Sequence, residues 1–245
     1  TGAPTFIVHI STGDAAGCVG DARARGLRVF GETCTQYLTT TKDRLDQPDY
    51  NEAAKYICSP ALRDEADIRR MWEALHDGTL SAVVSDHCGI DLTMKQAGRD
   101  NFADCPNGAP GAADRIPMLW TRGVAAGRIS RQRFVEVCST LPAKINGIYP
   151  RKGTIAVGSD ADIVVYDPDY RGPSAWRTTP TASTTTSTRA RRSPAGQSLY
   201  SCGAGLSPER ANSPASWARA SLLPASPAGI ASSKRPPAVR PGCPG

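Results

Sequence analysis

The sequence predicts an α/β fold built on a parallel β-sheet. Short runs of β-branched and aromatic residues alternate with amphipathic segments over the first 90 residues. Both amphipathic segments stop at a glycine, the residue that best tolerates left-handed backbone. The resulting order of strand, helix, strand, helix and strand is typical of a parallel sheet, because each helix carries the chain back to the edge where the next strand begins.

The first predicted unit covers residues 5–30. Residues 5–8 form a strand that ends at His9. The following helix has one apolar face, formed by Ala15, Ala16, Cys18, Val19 and Ala22. Gly26 ends this helix, and residues 27–30 form the second strand. The stretch 31–63 shows no helical or strand period and is predicted to be irregular.

The second unit begins at Asp64, which is suited to cap a helix with its carboxylate. Its apolar residues follow the i, i+3, i+4, i+7 spacing of a helix face: Ile68, Met71, Trp72 and Leu75. Gly78 ends the helix, and the strand at residues 80–84 leads to Asp86. His9 and Asp86 therefore follow the carboxyl ends of two parallel strands, which is where closed barrels of such strands form active sites.

Further elements follow along the chain. Residues 88–111 are rich in Gly, Asp and Asn and are predicted to form a loop. Two helical patterns come next, around residues 116–124 and 134–138, and residues 163–166 form a final strand.

The charge distribution divides the chain. Residues 1–170 hold 19 basic and 22 acidic residues, whereas residues 171–245 hold ten basic residues and one acidic residue, Glu209. The net charge of +6 therefore arises from the tail. A mildly acidic body gives no support for nucleic-acid binding, and the tail alone carries no folded nucleic-acid-binding module.

Membrane and disulfide-rich classes are also disfavoured. No apolar run approaches the ~18–20 residues of a membrane-spanning helix. No secretion signal precedes the first strand, and a chain that opens with Thr1 suggests a fragment. The eight cysteines are scattered, with no pair closer than 16 residues. This pattern predicts reduced thiols and a cytoplasmic location.

Six segments, taken in order, resemble dihydropyrimidinase, also called hydantoinase, of the amidohydrolase superfamily. They are FIVHIS (6–11), GETCTQYL (31–38), AAKYICSPALR (53–63), VVSDHC (83–88), AGRDNFADCPNGAPGAADR (97–115) and IYPRKGTIAVGSDADIVVYDP (148–168). The resemblance implies that residues 1–150 are the C-terminal part of a (β/α)₈ TIM-type barrel, about strands 6–8. It also implies a β-sandwich remnant at residues 151–169.

The resemblance further implies a zinc-dependent hydrolase of pyrimidine catabolism that opens the cyclic amide of dihydropyrimidines or hydantoins. Such enzymes hold two zinc ions, bridged by a carboxylated lysine that is absent from this chain. His9 matches a metal-ligating histidine, and Asp86 matches an aspartate that is both metal ligand and catalytic acid–base. Ser59 and Asn107 match positions whose backbone groups hold the substrate. The remaining ligands lie upstream in such enzymes.

The chemistry explains these residue types. A metal pair supplies hydroxide near neutral pH and polarises the amide carbonyl. Neutral imidazole suits zinc, and a carboxylate can carry the proton from the attacking hydroxide to the leaving nitrogen. Simpler interpretations remain open: His9 as a hydrogen-bonded core residue, Asp86 as a cap, and Ser59 and Asn107 as turn residues.

Other functions stay open as well. Within the cyclic amidases, allantoinase and dihydroorotase are the alternatives, and a third is a non-catalytic dihydropyrimidinase-related binding protein. His9, Asp86 and the PNG segment around Asn107 favour the enzyme, since the non-catalytic relatives lack or alter them. The expected partner is a small cyclic amide, with neither nucleic acid nor membrane. The complete family member is a homotetramer.

Residues 170–245 fall outside the resemblance and form a low-complexity basic tail, rich in Pro, Ser and Ala. Such a composition buries too little apolar surface to fold, which fits a disordered basic arm. The favoured hypothesis is instead a shift of reading frame near Tyr170. Together, these observations lead us to expect an incomplete chain that is inactive on its own.

Overall fold

The computed structural model describes residues 2–166, 168 and 199–202. Its centre is a parallel sheet in the order β1 (Thr5–Ile7), β2 (Val29–Cys34) and β3 (Ala82–Val84). Phe6 pairs with Phe30, and Thr33 pairs with Val83. The prediction of an α/β fold with a parallel sheet is confirmed.

Two long helices connect these strands, α1 (Gly13–Ala24) and α4 (Glu65–His76). Each begins at a capping side chain: Thr12 accepts a hydrogen bond from the backbone N–H of Ala15, and Asp64 accepts one from that of Asp67. The predicted capping role of Asp64 is therefore confirmed. Gly26 and Gly78, just beyond the two helices, have the positive φ angles of 78° and 93° expected of helix-ending glycines.

The prediction that residues 31–63 are irregular was wrong in part. β2 continues to Cys34, and two short helices follow, α2 (Thr35–Thr39) and α3 (Tyr50–Ala54), with a 3₁₀ turn at Lys42–Arg44. Tertiary contacts stabilise this region where the sequence has no period. The indole N–H of Trp72, for example, donates to the carbonyl of Leu38 at 2.9 Å.

The hydrophobic core lies between the sheet and its helices. It unites residues from distant parts of the chain: Ile10, Ala16, Val19, Leu38, Ile68, Met71, Trp72, Ala74, Leu75, Leu80, Val83, Leu119, Trp120, Ile129, Phe134 and Val137. All four apolar residues predicted for the face of α4 belong to it. In contrast, Phe6, Ile7 and Val8 are 38–46% exposed at the edge of the sheet. The described core thus covers the helical side, and β1 stays open to solvent.

The second half of the described chain is built from shorter helices. They are α5 (Leu92–Lys95), α6 (Arg115–Leu119), α7 (Arg131–Val135) and α8 (Leu141–Ile145). π-helical turns at Trp120–Val124 and Glu136–Thr140 extend α6 and connect α7 to α8. Both predicted helical patterns are confirmed, whereas the predicted 88–111 loop contains α5 and two 3₁₀ turns.

A separate two-stranded antiparallel sheet pairs β4 (Ile163–Tyr166) with β5 (Leu199–Cys202). The strand predicted at residues 163–166 is therefore confirmed. The Tyr166 ring stacks on Trp120 with centroids 5.5 Å apart, which attaches β4 to the helical core. β5 belongs to the segment predicted to be a low-complexity tail. The rest of 170–245 lies outside the described residues.

Among the described residues, no helix has the length and apolar character needed to cross a membrane.

Core packing around α4 predicts a large stability cost for truncation. Leu75 is fully buried in the core, whereas Leu27 is 46% exposed. Leu75→Ala is expected to lower the free energy of unfolding by about 2–5 kcal/mol, because it removes buried methyl groups and leaves a cavity. Leu27→Ala, the matched control, should cost under about 1 kcal/mol. Urea titrations of both variants give the comparison, and equal costs would contradict this assignment of the core.

Burial also predicts which thiols react. The six described cysteines are free, and Cys18 is exposed. Burial raises the pKa of Cys34, and that of Cys138 to about 11, so little of either is thiolate at pH 8. Iodoacetamide at pH 8 should therefore label Cys18 first, as followed by peptide mass spectrometry. In 6 M urea the difference should vanish, and fast native labelling of Cys34 would refute the prediction.

Candidate active site

His9 and Asp86 lie at the same edge of the sheet. Each follows its strand by two residues, His9 after β1 and Asp86 after β3, and both strands run in the same direction. Both residues have positive φ angles, 39° for His9 and 46° for Asp86. This conformation is uncommon for residues with a Cβ and clusters at functional sites. Among the described residues, they are the only non-glycine positions with positive φ.

Glu32, on β2 between these two strands, electrostatically links His9 and Asp86. Burial is the main cause of the raised pKa of its carboxyl; the backbone N–H and the charge of His9 lower the pKa, and the charge of Asp86 raises it. Sequence reasoning missed Glu32, because the predicted second strand ended at residue 30. The signal was present in the motif GETCTQYL, where Glu32 alone carries a charge.

Asp86 is exposed, and its negative charge influences the pKa values of neighbouring groups. The pKa values of Cys34, Cys58 and Tyr37 are all raised, chiefly by burial, and the Asp86 carboxylate adds to each increase. Cys58 directly precedes Ser59 in the chain. The charge of the Asp86 carboxylate therefore influences the segment that contains Ser59, a predicted substrate-binding residue.

Ser59 and Asn107 belong to two segments that the structure brings side by side. The backbone N–H of Gly108 donates to the carbonyl of Ile57 at 3.1 Å, which joins residues 57–60 to residues 105–108. The Tyr37 hydroxyl donates to the carbonyl of Pro60 at 2.7 Å and so holds residues 57–60 in place. Ser59 and Asn107 are both exposed residues.

Hydrogen bonds to His87, the residue after Asp86, hold the loop at residues 109–112. Its Nδ1 accepts hydrogen bonds from the backbone N–H groups of Gly111 at 3.1 Å and Ala112 at 3.3 Å. The backbone N–H of Cys88 donates to the carbonyl of Ala109 at 3.1 Å. Because Nδ1 is an acceptor here, the ring proton is on Nε2. No sequence motif indicated this role, since it depends on residues 24 and 25 positions away.

The donor set of this site fits zinc in kind. His9 offers an imidazole and Asp86 a carboxylate, both common zinc ligands. No group of three or more His, Cys, Asp or Glu side chains suited to a metal ion occurs within the described residues. The pair can therefore form only part of a coordination shell, and a complete shell requires further ligands.

A concave region lies elsewhere on the fold. A cavity of about 530 Å³ is lined by residues near the amino ends of β2 and β3, among them Phe30, Thr79 and Ser81. Its walls include none of the four predicted site residues. In parallel α/β folds the strands' carboxyl ends carry the chemistry, so we place the candidate active site at His9 and Asp86.

Comparison with solved structures supports this architecture. The chain superposes on a crystal structure of D-hydantoinase with a TM-score of 0.77 and 36% identity, covering 83% of this chain and 44% of that one. It superposes on dihydropyrimidinase from Brevibacillus agri with a TM-score of 0.73 and 39% identity, covering 82% of this chain and 42% of that one.

Sequence comparison agrees. The chain is 48% identical to D-hydantoinase from Rhizobium radiobacter over 168 residues, which is 68% of this chain and 36% of the relative. It thus spans little more than a third of that relative's length. The amidohydrolase family model matches residues 15–193, reaching beyond the end of the motifs at residue 168. With this match over more than half of its length, the chain belongs to the amidohydrolase family.

Proposed function

We propose that this chain is part of a zinc-dependent enzyme that opens the cyclic amide of dihydropyrimidines and hydantoins. The observation that carries the proposal is the position of His9 and Asp86 at one edge of the sheet. Both have left-handed backbone, and both influence the pKa of Glu32. Similarity to proteins named D-hydantoinase and dihydropyrimidinase supports the substrate class.

In this proposal His9 and Asp86 hold zinc together with ligands from outside the described residues, among them a carboxylated lysine. When bound, two zinc ions supply hydroxide near neutral pH and polarise the amide carbonyl. Asp86 accepts the proton of the attacking hydroxide and returns it to the ring nitrogen as the C–N bond breaks. The backbone at Ser59 and Asn107 holds the cyclic amide in place, and the exposure of the two residues is compatible with that role.

The same proposal assigns residues 1–150 to the barrel and residues 151–169 to the β-sandwich remnant. A cytoplasmic setting is part of it, supported by the free thiols of the six described cysteines. Homotetramer formation is a property proposed for the complete protein.

A chimera tests the catalytic assignment. The 168 matched residues of this chain replace the equivalent segment of D-hydantoinase from Rhizobium radiobacter, and hydantoin opening is measured with zinc and after chelation. Asp86→Asn should lower kcat by about 10²–10⁴-fold, because the amide cannot carry the proton. Asp21→Asn changes an exposed carboxylate on α1 and should leave kcat unchanged. Activity of the Asp86→Asn chimera close to that of its parent would refute the role of Asp86.

The chain alone is expected to show no hydrolysis of dihydrouracil above background, even with added zinc. Two ligands do not complete a dinuclear centre, and the described residues offer no larger group. The exposed edge at Phe6, Ile7 and Val8 should also promote self-association. Ring opening is measured as the loss of dihydrouracil absorbance, and self-association is measured by light scattering. Zinc-dependent turnover by the purified chain would overturn the proposal that its site is incomplete.

A further inference from the structure

Lys95, at the end of α5, is fully buried. Lysine is rarely buried completely, because its ammonium loses hydration that the protein must replace. Burial accordingly holds its pKa below the ordinary value. Its Nζ donates to the carbonyl of Ile57 at 2.7 Å. None of the ion pairs found among the described residues includes it.

The carbonyl oxygen of Ile57, which Lys95 contacts, also accepts a hydrogen bond from the backbone N–H of Gly108 at 3.1 Å. A carbonyl oxygen has two lone pairs and can accept both bonds. Ile57 begins the segment that contains Ser59, and Gly108 ends the segment that contains Asn107. A single carbonyl, held by a charged donor, therefore joins the two segments proposed to bind the substrate's cyclic amide.

Hydrogen bonds also hold the backbone of α5, which carries the Lys95 ammonium. The Tyr50 hydroxyl donates to the Lys95 carbonyl at 2.7 Å, and the side chain of Asp91 caps α5 by accepting from Met94 N–H at 2.9 Å. The other end of the junction is closely packed as well. At Gly108, with φ 137°, an added Cβ would lie 2.5 Å from the Cβ of Cys88. Contacts thus hold both sides of the junction, with the Lys95 bond between them.

We propose that Lys95 is a positioning residue: its buried ammonium holds residues 57–60 against residues 105–108 and thereby sets the affinity for the cyclic amide. The part that concerns affinity rests on the proposed function. The part that concerns the junction does not, since it follows from the contacts of Lys95, Ile57 and Gly108 alone.

Amide hydrogen exchange tests the junction in the chain itself. Lys95→Met keeps an unbranched side chain one heavy atom shorter and removes the charged donor. Exchange of the Gly108 N–H, followed by NMR, should accelerate roughly tenfold or more, because charge-assisted hydrogen bonds are worth more than neutral ones. The Leu75 N–H in α4 should exchange at its original rate. Lys144→Met, on the exposed surface of α8, is the matched control and should change neither rate.

Two exchange results would overturn the proposal. Unchanged exchange at Gly108 would show that Lys95 does not hold the junction. Equal acceleration at Gly108 and Leu75 would show that Lys95 is a general core residue. Tyr50→Phe provides a milder variant in case Lys95→Met unfolds the chain. It removes the bonds of the hydroxyl to the Lys95 carbonyl and to Cys105 Sγ and should accelerate Gly108 exchange by a smaller factor, whereas no change would again count against the proposal.

Kinetics of the chimera test the effect on affinity. Lys95→Met should raise KM for hydantoin about tenfold and leave kcat within about twofold, because substrate contacts are lost while the proton carrier is intact. Loss of kcat alone would overturn the positioning role. If the parent chimera itself lacks activity with zinc, the proposed function fails instead, and the exchange rates of Gly108 alone decide whether Lys95 holds the junction.

Discussion

Parallel pairing of β1, β2 and β3 is the constraint on which the candidate site depends. Because the three strands run in one direction, the residues that follow them meet at one edge of the sheet. His9 and Asp86 come together around Glu32 for this reason, although 77 residues separate them in the chain. Their left-handed backbone costs about 1–3 kcal/mol each, and the packed helical layer behind the sheet must offset it. A slip of one residue in β2 would turn Glu32 to the opposite face and remove the link.

Around this edge the loops are held by individual hydrogen bonds. His87 fastens Gly111, Tyr37 holds Pro60, and Lys95 holds Ile57. Each of these side chains reaches a backbone group that regular secondary structure leaves without a partner. Unpaired buried backbone groups are costly, so bonds of this kind determine which loop conformation persists. The sheet therefore locates the chemistry, whereas a few polar side chains shape the surface that would meet the substrate.

Local signals predicted α4 well, whereas the apolar face predicted for α1 includes Ala15 and Cys18, which are exposed. Asp64 and the spacing of Ile68 to Leu75 predicted α4, because a cap and an apolar face lie within a few residues of each other. The same reasoning failed over residues 31–63, where α2 depends on a bond from Trp72 to Leu38, 34 residues away. Glu32 escaped notice for a related reason: its role comes from two strands that are distant in sequence.

The sequence by itself determined the order of strands and helices, their capping residues, the family motifs and the residue types available for metal and proton chemistry. Only the tertiary structure decided that Glu32 lies between His9 and Asp86, that His87 supports a loop, and that Lys95 is buried against Ile57. The physical reason is the range of the interactions. Helical periodicity and capping act over one or two turns, whereas strand pairing and charge burial join residues tens of positions apart, whose encounter depends on how the whole chain packs.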